Sequence, residues 1–348
     1  MGSKRKMILD SLFLLLVFIL TLYGVFHGED LGEVLLAVRR VNIRWLVPGV
    51  VLVIIFIWGE SVIIWYLMRT FHIFLKKRIC FLFSSVGFFF SCITPSASGG
   101  QPMQIYYMKK EKIPIPVSTV ILMIVTITYK LVLVVIGLGI LIFGQQFRRK
   151  YLGEIMPVYY LGLLLNIFCV GLMTILVLHP ALAENILLKC LGCLERLHIL
   201  KYKKSRRERL SDAMGIYRKT AEYLKQHKQV IGIVILLTFM QRLALFAVTW
   251  TVYRAFGASG VSVASVVLLQ AVISVSVDML PLPGGMGISE TLFLKIFVPV
   301  FGPLLLPAMV LSRGLGYYSQ LFISALFTIV AQLYYTLINR RLSDDRVL

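Results

Sequence analysis

Six apolar runs, at residues 7–26, 45–70, 113–143, 156–179, 229–254 and 303–338, are each long enough to cross a membrane as a helix. A hydrocarbon core of ~30 Å takes roughly 20 helical residues. Inside it no water satisfies the backbone, so only helices and closed barrels can span. The period-2 alternation over ~10-residue segments that a barrel needs is absent. Composition agrees: 59% of the residues are hydrophobic and 15% are charged, against about 25% charged in soluble domains. Mean hydropathy is +0.87. A soluble enzyme, a secreted disulfide scaffold and a disordered chain are all excluded. The expectation is an all-α polytopic integral membrane protein with about six full spans.

The first run follows a basic N-terminus, and no small-residue cleavage site follows it, so it reads as a retained helix. Gly2 begins no myristoylation motif, because position 6 is Lys6. The five cysteines, an odd number placed largely in apolar runs, form no disulfide framework. Cys190-x-x-Cys193 has no second pair to complete a zinc site. No metal and no cofactor is expected, and no Gly-rich phosphate loop for ATP is present.

The net charge of +20 points first to anionic membrane lipids and to topology, with no direct nucleic-acid partner expected. Two further apolar runs, 81–108 and 261–298, are interrupted by Pro and Gly. If the N-terminus is cytoplasmic and both interrupted runs are re-entrant, 25 Lys and Arg fall inside, 7 outside and 4 at membrane depth. A full crossing by 81–108 would turn the basic stretch 183–228 outward, against the positive-inside rule. The re-entrant topology with both termini cytoplasmic is therefore expected, in a bacterial cell membrane. The stretch 183–228 reads as an amphipathic connector lying on lipid.

The same order of features occurs twice, in repeats of about 45–143 and 229–338 within one membrane domain covering 1–348. A helix with Glu60 precedes the first broken segment, and a helix with Lys130 follows it. A helix with Gln241 and Arg242 precedes the second, and a helix with Arg313 follows it. Gly100 lies 30 residues before Lys130, and Gly285 lies 28 before Arg313. The two units have opposite orientation, the inverted-repeat plan of secondary transporters, whose binding sites lie at such broken helices.

The first broken segment reads TPSASGGQPMQIYY over 94–107. Pro95 and Pro102 limit helix on either side, and Gly99–Gly100 permits a tight reversal. Ser98, Gln101 and Gln104 can satisfy the freed backbone or face a substrate. A helix restarting near Pro102 would point its N-terminus at a phosphate. The second reads LPLPGGMGISE over 280–290, with Pro283, Gly284, Gly285 and Gly287 making a strongly bent turn and Glu290 opening the next half-helix.

PLPGGMGISE resembles the signature of the lysylphosphatidylglycerol synthase transmembrane, or flippase-like, family, and ITPSASGGQPMQ is similar to its first motif. The resemblance runs from about Trp45 to the C-terminus. It implies the membrane region of the multiple peptide resistance factors, which moves lysylphosphatidylglycerol between leaflets. In the full-length factors a soluble domain transfers lysyl groups from tRNA. The longest stretch here without a span, 183–228, is too short to be that domain.

Ionisable groups at membrane depth are costly and are functional candidates by default. The bases are Lys130, Arg242, Arg313 and Lys295, and the acids Glu60, Asp278 and Glu290, a positive excess of one. Such a cavity suits a phospholipid phosphate, with an acid to meet an amine, unless these groups simply pair with one another. The leading expectation is a lipid translocase. The alternatives are a phosphatidylglycerol lysyltransferase, a membrane partner subunit for a separate synthase, and, for oligomeric state, a homo-oligomer.

Overall fold

The computed structural model describes residues 35–36, 38–197 and 204–344. Among the described residues it is mainly helical with no strand, and five stretches are long and apolar enough to cross a membrane: Ile43–Thr70, Ile115–Phe143, Gly153–Leu178, Lys228–Ala255 and Val298–Thr336. These match five of the six predicted spans. The sixth, 7–26, lies outside the described residues.

The main helices in chain order are α1 (Leu46–Thr70), α2 (Lys77–Ile93), α3 (Gly100–Lys110), α4 (Ile115–Phe143), α5 (Met156–Leu178) and α6 (Pro180–Arg196). They continue with α7 (Lys204–Gln226), α8 (Lys228–Ala255), α9 (Val263–Val277), α10 (Ile288–Ile296), α11 (Leu305–Arg313) and α12 (Ser319–Asp344). Prolines open α4, α5 and α6 within their first two positions, where the missing N–H leaves no bond unmade. The run 303–338 is not one regular helix. A π turn, Gly314–Tyr318, joins α11 to α12 directly after Arg313.

Antiparallel α1 and α8 form the spine. At one end Asn42 N–H donates to Ala255 O at 3.0 Å. Mid-way, Gln241 Nε2 donates to Phe56 O at 2.9 Å. At the other end the rings of Phe71 and Tyr223 lie 5.3 Å apart.

Each broken segment is a helical hairpin leaning on this spine. In the first, a Cβ on Gly87 would lie 2.3 Å from Gln104 Nε2, and one on Gly100 would lie 2.7 Å from Gly87 O. A Cβ on Gly100 would also collide with the Ser91 side chain. The pairs 87/104 and 91/100 progress in opposite directions, so α3 returns along α2 towards the Thr70 end. In the second hairpin, Val261 N–H donates to Tyr253 OH at 3.1 Å. Beyond α10 the Phe301 ring lies 5.8 Å from the same Tyr253. That hairpin therefore starts and finishes at the Ala255 end. The two segments are re-entrant from opposite ends. Asn166 of α5 supports the second by donating to Val275 O at 3.2 Å.

The connector departs from its expected place on lipid. Met214, Tyr217, Ala221 and Leu224 of α7 are buried, and Tyr217 OH donates to Leu176 O at 3.2 Å. Their helical spacing puts one apolar stripe of α7 against the bundle. α6 leaves Leu182, Ile186 and Leu187 exposed, and α7 leaves Ile216 exposed.

Candidate functional site

The two hairpin tips meet. At 1.5 Å per residue, α2 reaches about 25 Å in from one end and α9 about 22 Å from the other, so their turns overlap inside a ~30 Å core. Ser96 Oγ donates to Leu280 O at 3.3 Å. Tyr317 OH, from the π turn, donates to Cys92 O at 3.0 Å.

The first tip is open. Pro95, Ser96, Ala97 and Ser98 are all exposed, and both Ser96 (φ 50°) and Ala97 (φ 54°) are left-handed. Left-handed backbone costs a non-glycine residue roughly 1–2 kcal/mol. Irregular backbone at membrane depth is tolerated where it lines a water-filled cavity or is buried in protein, and this tip is not buried. Thr94 Oγ1 closes the turn by accepting from Gly99 N–H at 2.9 Å. The return helix begins at Gly100, two residues before the expected Pro102, because Gly100 fits against Ser91 where no side chain would. Gln101 donates to Thr126 on α4, and Gln104 Nε2 donates to Glu60 Oε1 at 2.7 Å.

The second tip is tied down at both ends. Lys130 Nζ of α4 lies 2.5 Å from Asp278 Oδ2 and 2.8 Å from Met279 Sδ. Arg313 Nε donates to Glu290 Oε1 at 2.7 Å, and its Nη2 donates to Gly284 O at 3.1 Å. Glu290 Oε2 accepts from Gly287 N–H at 2.7 Å, so the start of α10 already has its anion. Gly284 is left-handed (φ 55°), and a Cβ there would sit 2.1 Å from the Tyr317 ring. Pro283 and Gly285 are buried beside it.

Pairing therefore accounts for Lys130 with Asp278 and for Arg313 with Glu290. Lys295 does not belong at membrane depth. It meets Glu154 at 3.6 Å, both side chains being largely exposed. Three bases then face three acids, and the expected positive excess disappears.

Glu60 and Arg242 remain. Among the described residues neither forms an ion pair within 4.0 Å. The Arg242 guanidinium lies 3.4 Å from the Tyr129 ring centroid and 5.1 Å from that of Phe56. Its Nε is buried with no hydrogen-bond partner. Lys130 Nζ lies 5.3 Å from the same Tyr129 ring, which links this group to the second tip.

Residues 7–324 match the family described as the lysylphosphatidylglycerol synthase TM region. The chain belongs to this family. The match begins well before Trp45 and takes in the first apolar run. With the apolar helices it makes the chain a multi-pass membrane protein of a family concerned with lysylphosphatidylglycerol. No match was found among curated proteins.

Sequence reading had named Glu60, Gln104 and Arg242, and the fold gathers them where α1, α3, α4 and α8 meet. It gathers Lys130, Asp278, Pro283, Gly284, Gly285, Gly287, Glu290 and Arg313 around the second tip. Ser98 and Gly99 lie on the first tip. Sequence reading missed Met279, Thr126 and the stacking of Arg242 on Tyr129. The sequence signal for the π turn is Gly314-Leu-Gly316 inside an apolar run.

Proposed function

We propose that the chain moves a phospholipid between leaflets, lysylphosphatidylglycerol or a related aminoacylated or anionic lipid, with the headgroup passing Arg242 and Glu60. The observation that carries this reading is that, among the described residues, Arg242 forms no ion pair within 4.0 Å and its buried Nε has no hydrogen-bond partner. A charge taken out of water costs several kcal/mol unless paired, and such groups inside membranes mark substrate paths. Its planar guanidinium suits a phosphate, which it can hold through two parallel hydrogen bonds. Glu60, steadied on one oxygen by Gln104, leaves the other for a lipid amine. The open first tip gives the headgroup polar surroundings while the tails stay in the bilayer. On this reading the protein works in the bacterial cell membrane, with both termini cytoplasmic, and lowers surface attraction for cationic antimicrobial peptides.

The test is reconstitution in liposomes with headgroup-labelled phospholipids. Protein-dependent movement that lysylphosphatidylglycerol suppresses, and that Arg242→Ala abolishes without loss of folded protein, supports the proposal. Wild-type movement in that variant overturns it.

A further inference from the structure

The π turn Gly314–Tyr318 separates two sets of contacts. On its N-terminal side Arg313 closes α11 and holds the second tip through Glu290 Oε1 and Gly284 O. Lys130 ties the same tip to α4 through Asp278. On its C-terminal side the contacts follow the first hairpin from tip to exit. Tyr317 OH donates to Cys92 O at the tip, and the Phe327 ring meets the Phe81 ring edge-on, with centroids 4.8 Å apart. Near the exit Tyr107 OH donates to Gln332 Oε1 at 2.8 Å, and Tyr335 OH donates to Glu111 Oε1 at 2.7 Å. The Lys110 ammonium lies 4.7 Å from the Tyr107 ring centroid and 5.3 Å from that of Tyr335. We infer that α12 and the first hairpin swing as one body about the π turn, uncovering Glu60, while the second hairpin stays with α4 and α11. The inference rests on the proposed translocation, for which it supplies the moving part.

Two observations select this division. Gly314 and Gly316 lie in the π turn, yet neither is left-handed, and a Cβ on either would meet nothing within 4 Å. Neither packing nor conformation calls for glycine there. What it contributes is a helix that bends at low cost, and hinges are a few such residues at the ends of elements. The second observation is how weakly the body is held. Among the described residues no ion pair within 4.0 Å joins it to the rest of the bundle. It meets α1 through ring faces, with Phe88 4.7 Å from Phe56 and the Lys77 ammonium 5.0 Å from the Trp65 ring. Single hydrogen bonds latch it elsewhere: Ser96 to Leu280 O, Gln101 to Thr126 and Gln104 to Glu60. Releasing the last two frees α3 from α4 and opens both Glu60 oxygens to a headgroup amine.

The experiment uses the full chain in liposomes, with Cys169→Ser, Cys190→Ser and Cys193→Ser, and reads distances between paired spin labels by pulsed electron paramagnetic resonance. Lys109→Cys with Ile329→Cys lies within the body, and Leu164→Cys with Ile329→Cys runs from α5 to α12; all three positions are exposed. The first pair should give one distance and the second two populations. Gly314→Ala/Gly316→Ala stiffens the turn. The swung population and the rate of lipid movement should each fall at least about tenfold, with thermal stability no lower than wild type. Thr126→Val removes the acceptor of Gln101 and should raise the swung population about fivefold. A single distance between positions 164 and 329 overturns the inference whether or not lipid moves, and so do two populations that neither variant alters. Two populations in a chain that moves no lipid uphold the hinge and defeat the proposed translocation.

Discussion

Arg242 lies flat on Tyr129, with its guanidinium carbon 3.4 Å from the ring centroid, while its Nε has no hydrogen-bond partner. The stack fixes the plane of the guanidinium without using its donors. A cation held over an aromatic face gains about 2 kcal/mol when desolvated, which helps to keep the charge at membrane depth. Arg242→Lys retains the charge but neither the flat stack nor the two-pronged contact. Its lipid movement, followed by quenching of labelled headgroups, should fall at least about tenfold, a difference of ~1.4 kcal/mol in the barrier.

Glu60→Gln removes one charge and keeps a side chain able to bond Gln104. Movement of an aminoacylated lipid should drop more than about tenfold, since hydrogen bonds to charged groups contribute about 1.5–3 kcal/mol. Movement of phosphatidylglycerol should stay near the wild-type rate. Side-by-side assays of the two lipids measure the ratio, and an equal loss for both would remove Glu60 from amine recognition.

Lys130 and Asp278 are a mutually dependent pair. Lys130→Met or Asp278→Leu strands a buried partner, with a cost near ~3–5 kcal/mol for breaking such a pair. The double variant Lys130→Met/Asp278→Leu should regain most of the lost stability. Thermal unfolding in detergent, followed by size exclusion, compares the three. Additive losses in the double variant would contradict the pairing.

Gly284→Ala should loosen the second tip, because its methyl group meets the Tyr317 ring and its backbone must stay left-handed. Tyr317→Phe keeps the ring and loses the bond to Cys92 O, a milder change of about 1 kcal/mol. Proteolysis within 280–290 should rise strongly in the first variant and slightly in the second.

Cys190 and Cys193 are exposed, while Cys80 and Cys92 are buried. A membrane-impermeant maleimide should label the first two only after cells are opened if the connector is cytoplasmic. Labelling of intact cells would invert the proposed topology.

Much of this fold was legible in the chain. Apolar runs of sufficient length left helices as the only local solution, and Pro95, Pro281 and Pro283 marked where helices break. Residue types named the charges but not their partners, because pairing depends on which helix faces arrive together. Lys295 lies in an apolar run, yet its place at the outer end of α10 lets it reach Glu154. The stripe of α7 has the same spacing whether it meets lipid or protein, so only the neighbouring α4 and α5 decide between them. The restart at Gly100 followed from the side chain of Ser91, thirteen residues after Arg78 and invisible as a helix signal.

The hydrogen bonds that tie the first tip to the second repeat, Ser96 to Leu280 O and Tyr317 to Cys92 O, share one trait. Each has a side chain on one side and main chain on the other. Positions 92 and 280 can therefore drift to other residues of suitable size and still offer the same carbonyl. Position 96 keeps its hydroxyl only as serine or threonine, and no other side chain carries a hydroxyl as far as Tyr317 does. Of the four residues that make these two bonds, only the two that supply hydroxyls are held by residue type.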